Sequence, residues 1–449
     1  MLSYTVGMVS LGCSKNQVDG EVLLASLKNA GFAISADLNA ADAVIVNTCG
    51  FIESAKKESI DEILNMAQLK QEGKLKAVIV TGCLAERYQT EIRKELPEAD
   101  AVFGIGANHQ IAGFLTQILE GKSMEVFPPK LELPLQGERI LSTPPYSAYL
   151  KISEGCDNCC SYCAIPLIRG RFRSRTIEDV VEEAGRLVAN GVRELIVIAQ
   201  DTTRFGEDLY GKPVLTDLLR ELCRLEGLHW VRLLYCYPNR ISDELLDLIA
   251  SEPKILKYID LPLQHCSGRV LRDMNRFGDR ESLRALIRKM REKIPGLVLR
   301  TTFITGFPGE TLDDFEELAE FVQETRFERL GCFPYSQEED TPAAEFENQI
   351  PEEEKQRRAD LIMEMQMTIM QQLGDGLCGE TLEVLVEGYD SETGFWYGRS
   401  YADSPDIDGS VLFTVSGDAP PVGSFCKVQI DQCVSCDLIG SLLQAEGHL

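Results

Sequence analysis

Three times in the first 90 residues, a short apolar run ends at a glycine and a cysteine side by side and gives way to a helical pattern. TVGMVSLGC leads into VDGEVLLASLKNAGF, and DAVIVNTCGF leads into SAKKESIDEILNMAQL. KAVIVTGCLAERY then repeats strand, glycine, cysteine, helix. Strands alternating with amphipathic helices predict a parallel sheet covered by helices on both faces, here over residues 1–125. The rhythm leaves Cys13, Cys49 and Cys83 each just past a strand, beside Gly12, Gly50 and Gly82. Ligands collect at the carboxyl ends of parallel strands, so three cysteines distant in sequence are expected to converge. The competing reading makes them small buried hydrophobes, the ordinary fate of a free cysteine. Their shared topological position favours a metal cluster.

A second set lies close together. EGCDNCCSYCAIP carries Cys156, Cys160 and Cys163 in a C-x3-C-x2-C spacing, with Tyr162 just before the last. Three thiolates from one loop can take three irons of a cubic four-iron cluster and leave the fourth open for chemistry. Cys159 also makes the stretch readable as two adjoining C-x2-C pairs, a zinc pattern. Zinc pairs usually stand a dozen or more residues apart, because one ion is reached from two directions. Cys159 therefore reads as a bystander. The spacing and its aromatic resemble the radical S-adenosylmethionine (radical SAM) signature. That resemblance implies that the open iron chelates the amino and carboxylate groups of SAM and that Tyr162 packs near the adenine.

Residues 126–142 are proline-bearing and polar, a linker pattern. From 143 to 372 a further βα series follows, with ELIVIAQDTT, WVRLLYCYP, YIDLPLQHC, LVLRTTFITGFPGET and ERLGCFPYS as strand-to-loop segments. Such a series implies an open or partial barrel with chemistry at the strand C-termini. Gln200 and Asp201 after one strand, and Asp260 and Gln264 after another, are candidates to hold SAM. The Gly306–Glu310 turn lies at a third strand end. Each of these polar residues could equally be a cap or turn. Arg169, Arg171, Arg173 and Arg175 alternate, which in an extended stretch puts all four on one face, able to pair with carboxylates. His265 reads as a structural hydrogen-bonder. Residues 373–449 change to short strands, predicting a small antiparallel β-barrel. Cys433 and Cys436 there form a lone C-x2-C and read as packing.

The chain carries 71 acidic against 45 basic residues, a net charge of −26. Such a surface repels phosphate backbones and favours a basic partner, so no dedicated nucleic-acid binding is expected. The longest apolar runs, such as LIVIA at 195–199, are strand-sized, and no membrane span is expected. The N-terminus lacks a signal-peptide pattern. Fifteen cysteines then imply a reducing compartment, the cytoplasm.

SLGCSKNQVDGE, VNTCGFIESAKKESID and TGCLAERY resemble the N-terminal domain of the methylthiotransferases, and the C-terminal strands resemble a TRAM domain. The resemblance implies two 4Fe-4S clusters, the second held by Cys13, Cys49 and Cys83 and carrying the sulfur to be donated. It implies two SAM per turnover, one as methyl donor and one as the source of a 5′-deoxyadenosyl radical. It further implies an electron donor such as flavodoxin or ferredoxin, and a sulfur donor. One branch of the family modifies a tRNA adenosine. The other modifies the β-carbon of an aspartate in a basic small-subunit ribosomal protein, free or in the ribosome. Residues 375–449 hold 13 Asp/Glu and two Lys/Arg, a net of −11. An RNA-binding module should be basic, so the charge favours the protein substrate. GRSYADSPDIDG and FPYSQEEDTPA resemble the same branch. Trp396 and Tyr401 are expected to help dock the partner. A non-catalytic iron–sulfur or zinc scaffold is the third reading.

Overall fold

A computed structural model describes residues 4–443. The first sheet contains β1 (Thr5–Ser10), β2 (Ala33–Ile34), β3 (Ala43–Thr48), β4 (Ala77–Gly82), β5 (Ala101–Phe103) and β6 (Met124–Val126), in the order 2-1-3-4-5-6. Every pairing is parallel. Alternate side chains feed two cores, as a strand buried on both faces requires. Val44, Val46, Val78 and Val80 pack on one side, and Ala43, Ile45, Ala77 and Ile79 on the other. The expected helix-covered parallel sheet is what forms. Because β6 closes it, the sheet runs to Val126.

The stretch that follows is irregular but docked. Leu133 is buried, and Arg139 pairs with Glu21 at 2.5 Å and with Glu183 at 2.6 Å, bridging the first and second sheets' domains.

The second sheet contains β7 (Ser147–Lys151), then, beyond a two-residue ladder of β8 (Ser153–Glu154) with β9 (Arg173–Ser174), β10 (Glu194–Ile198), β11 (Trp230–Leu233), β12 (Ile255–Asp260), β13 (Val298–Thr305) and β14 (Arg329–Pro334). The order 14-13-12-11-10-7 is parallel throughout, the partial barrel expected. Leu150, Leu195, Val197, Val231 and Ile259 face the outer helices. Tyr149, Ile196, Ile198 and Tyr258 face inward.

The helix Glu352–Asp375 leads to β15 (Thr381–Tyr389), β16 (Trp396–Arg399), β17 (Val411–Thr414), β18 (Phe425–Val434) and β19 (Asp437–Leu442), a closed barrel. One correction applies: β17 and β19 pair in parallel, so the barrel is antiparallel in all contacts but that one. Cys433 and Cys436 flank the β18–β19 turn, where Ser435 and Cys436 both take positive φ.

The segment 398–409 is not a free acidic surface. Arg399 meets Glu194 at 2.6 Å, Asp403 meets Arg329 at 2.5 Å, and the Tyr258 hydroxyl donates to Asp408 at 2.7 Å. Leu385, Tyr401 and Phe425 join the inward residues of the second sheet in one core. The small barrel thus plugs the partial barrel. Tyr401 is spent in that seam, donating to the Gly296 carbonyl at 3.2 Å, and Trp396 is half-buried against Tyr389. The aromatic rings left open on this domain include Tyr389, at 53% exposure.

Glu194 holds the seam between two arginines, with Arg232 at 2.9 Å on its other side. Burial opposes its charge, yet Arg399 and Arg232 hold the carboxyl down to about 2, from an ordinary 4.5. The folded value is the lower one. The pair's contribution is therefore complete above pH 4.5 and is lost as pH falls toward 2. Glu194→Gln strands two buried guanidiniums, and breaking such a pair costs about 3–5 kcal/mol. Urea unfolding at neutral pH should show a loss of that size. An unchanged midpoint would mean that the seam does not depend on this carboxylate.

Candidate functional site

The first cysteine set converges as the strand rhythm implies. Gly12 is at φ 86, and a Cβ there would stand 2.8 Å from the Cys49 Sγ. A Cβ on Gly50 would stand 2.7 Å from Leu84 Cα and 2.9 Å from the Cys83 carbonyl carbon. Only glycine lets these three chain turns come so close. Cys13 precedes the helix Ser14–Asn29, and Cys83 opens the helix Cys83–Arg87. Ser59 clamps the Cys49 peptide, accepting from its N–H at 2.9 Å and donating to its carbonyl at 2.9 Å. Burial pushes the Cys83 thiol up to about 12. Arg169 opposes this shift, and neighbouring Cys13 and Cys49 add to it. Around Cys13 the crowding also disfavours charge, but Lys15 and Arg169 outweigh it and hold the thiol below its usual value.

The second set lies in the loop beyond β7 and β8, at the carboxyl edge of the partial barrel. Burial, with Cys160 and Asp201 adding to it, pushes Cys156 up to about 11, while the Asn158 N–H lies 3.4 Å from its sulfur. Cys163 is raised by burial and by Cys160 and Cys156. Cys159 is exposed, with its backbone at φ 51. Among the described residues no three His, Cys, Asp or Glu side chains close on one point as the ligands of a single ion do. A cubic cluster asks for a wider triangle, since each thiolate takes a different iron. Each set offers three soft thiols, one for each of three irons.

The polar candidates divide. Tyr162 and Gln264 line one cavity of about 330 Å³. Gln264 sits at φ 71, and its buried Oε1 has no partner, so it is free to meet a ligand. Gln200 donates to Glu154 at 2.9 Å and likewise keeps a buried, unpartnered Oε1. Asp201 has its oxygens taken by Thr203 at 2.5 Å, Asn158 at 2.9 Å and Arg240 at 3.4 Å. It braces the cysteine loop through Asn158. Asp260 accepts from the Tyr235 N–H at 3.0 Å and pairs with Arg300 at 2.9 Å. His265 is buried, its Nδ1 accepting from the Ser267 N–H at 2.9 Å. Glu310 ties the Gly306 turn to Arg358, at 2.8 and 2.7 Å.

The four arginines do not share a face. The helix Ile165–Arg169 and Gly170 interrupt the alternation. Arg169 and Arg175 are buried in ion pairs, Arg171 is exposed beside Asp157, and Arg173 donates to the Leu131 carbonyl at 2.6 Å. Sequence reasoning missed Arg276, whose Nη1 lies 3.6 Å from the Cys160 Sγ and 3.4 Å from the Tyr162 hydroxyl, over the Tyr237 ring at 4.4 Å. It lies outside every motif, and no periodicity marks it.

The 330 Å³ cavity is lined by sequence neighbours of both sets. Phe51 and Ile52, just past Cys49, form one wall, and Tyr162, beside Cys163, and Gln264 form another, with Phe333 and Tyr335 completing it. Above it Arg87 and Lys56 of the first domain grip Glu338 at 2.7 and 3.3 Å.

A parallel partial barrel with a C-x3-C-x2-C loop at its carboxyl edge defines a radical SAM protein. The domain families agree: residues 5–104 match the Uncharacterized protein family UPF0004, 150–322 the Radical SAM superfamily and 378–443 the TRAM domain. The chain is similar to a ribosomal protein uS12 methylthiotransferase RimO of Desulforamulus reducens, 50% identical over 98% of this chain and all of that one. The same-named protein of Clostridioides difficile is 47% identical over 98% of each. The chain belongs to the RimO family of methylthiotransferases. In fold it is similar to the radical SAM methyltransferase TsrM of Kitasatospora setae, at TM-score 0.55 and 17% identity over 76% of this chain and 77% of that one. No helix among the described residues is long and apolar enough to cross a membrane.

Proposed function

We propose that this chain adds a methylthio group to the β-carbon of an aspartate in ribosomal protein uS12, in the cytoplasm, holding two 4Fe-4S clusters and using SAM. The observation that carries the reading is one cavity walled on one side by the residues after Cys49 and on the other by Tyr162. Cys156, Cys160 and Cys163 would hold the cluster that supplies reductive SAM cleavage, and Cys13, Cys49 and Cys83 the cluster that supplies sulfur. The chain's own part is to bind, align and exclude water. Phe51, Ile52, Phe333 and Tyr335 give the cavity an apolar lining beside Gln264, whose unpartnered amide oxygen can accept from ligand N–H or O–H groups, and Gln200 keeps a second such oxygen beside Glu154. Electrons would come from a small redox protein such as flavodoxin or ferredoxin, and sulfur from a separate donor.

Protein rather than RNA is favoured by charge at the surface. Of the two basic residues beyond 375, Arg399 is buried and Lys427 is exposed, while Glu380, Glu392, Asp406, Asp418 and Asp431 stay open to solvent. The test is anaerobic reconstitution with SAM, reductant and sulfide, offering a uS12 peptide and a tRNA anticodon stem in separate tubes. The expected result is a gain of about 46 Da, SCH3 for H, on the peptide's aspartate. A gain on the RNA alone would assign the adenosine-modifying activity instead.

A further inference from the structure

We propose that Arg169, although it belongs to the radical SAM half, is a positioning residue for the other cysteine centre: by donating an N–H···S hydrogen bond to Cys83 it raises the reduction potential of the cluster held there. The inference rests on reading each cysteine set as a cluster site.

Arg169 ends the short helix that follows the Cys156–Cys163 loop, and Gly170, at φ 78, turns the chain away there. Its side chain is 1% exposed. Nη2 lies 3.3 Å from the Cys83 Sγ and 3.1 Å from the Asn16 Oδ1. Nη1 contacts Asp19 and, at 3.2 Å, Glu154. Glu154 in turn accepts from Lys151 at 2.8 Å, from Gln200 at 2.9 Å and from the N–H of Gly155, the neighbour of Cys156, at 3.1 Å. One hydrogen-bonded path therefore runs from Cys83 of the first domain to the residue before Cys156 of the second.

Two cations, Lys151 and Arg169, balance two anions, Asp19 and Glu154, in a site closed to water. A guanidinium remains charged in such a place, and its planar fork can face carboxylates with one edge and sulfur with another. Positive charge and N–H donors at cluster sulfurs stabilise the extra electron of the reduced state. Arg276 offers the same kind of contact to Cys160, but from within its own domain. Arg169 crosses between the two.

The test uses the full chain with Cys156, Cys160 and Cys163 all changed to Ala, so that only the Cys13–Cys49–Cys83 cluster assembles. Its midpoint potential is then measured by dithionite titration followed by electron paramagnetic resonance, with Arg169 intact, as Arg169→Gln and as Arg169→Lys. The expected result is about four irons per chain in each and a potential lowered in both variants, further in Gln than in Lys. Equal potentials in all three would overturn the proposal. Loss of the cluster from both variants while the parent keeps it would overturn it in favour of a purely structural role. No cluster in the parent would remove the two-centre reading, and this inference with it.

Discussion

Changing Cys160 to alanine should bring reductive SAM cleavage down to the background of the reductant alone and halve the iron, from about eight per chain to about four. Cys160 is the buried member of its set and receives the Arg276 guanidinium, which also contacts Tyr162. Its neighbour cannot take its place. Cys159 points outward from a left-handed backbone, its carbonyl fixed by the Asn275 amide at 2.9 Å. Cys159→Ala should therefore keep iron, SAM cleavage and stability, the last within about 0.5 kcal/mol of the parent as surface substitutions do. The readouts are iron content and 5′-deoxyadenosine formed per chain. A Cys160→Ala protein that still modifies its partner would refute the catalytic assignment of this loop and revive a scaffold reading.

What the sequence disclosed depended on whether the signal was local. β3 and β4 read directly as buried parallel strands because AVIV recurs and both faces are apolar. The cysteines were locatable because a strand end is a topological position as well as a sequence position. Alternation misled at Arg169–Arg175, since a one-turn helix and Gly170 send the four side chains to different partners. No spacing rule sees Asp19 waiting across a domain boundary, or Glu154 on the short strand before the cysteine loop.

Charge counting had a similar blind spot. The acidity of 398–409 counted toward an exposed surface, yet Asp403 and Asp408 are consumed by Arg329 and Tyr258 in the seam between domains. The acidic surface persists because the same packing also hides Arg399, one of the two compensating cations. Asp201 and Asp260 show why a polar residue at a strand end is ambiguous: protein donors already hold both carboxylates. The glutamines at equivalent ends, Gln200 and Gln264, keep an unpartnered oxygen each, a difference set by tertiary neighbours and not by local sequence.

The uncoupling of the two centres supplies the second large effect. Cys49→Ala should leave 5′-deoxyadenosine formation intact while the methylthio product disappears. Cys49 belongs to the first domain's set, directly follows β3 and stands two and three residues before Phe51 and Ile52 in the cavity wall. Its backbone is held independently of its sulfur by Ser59, so the alanine keeps the chain's path and removes one thiol from the dry interior. Cys156, Cys160 and Cys163 do not depend on it, since their loop is braced by Asp201, Asn275 and Arg276. The measurement is one anaerobic reaction analysed twice, for 5′-deoxyadenosine by chromatography and for the added SCH3 by mass spectrometry. Parental yields of both would eliminate the second centre. Loss of both would mean that the sets form one site, with SAM cleavage contingent on the first domain.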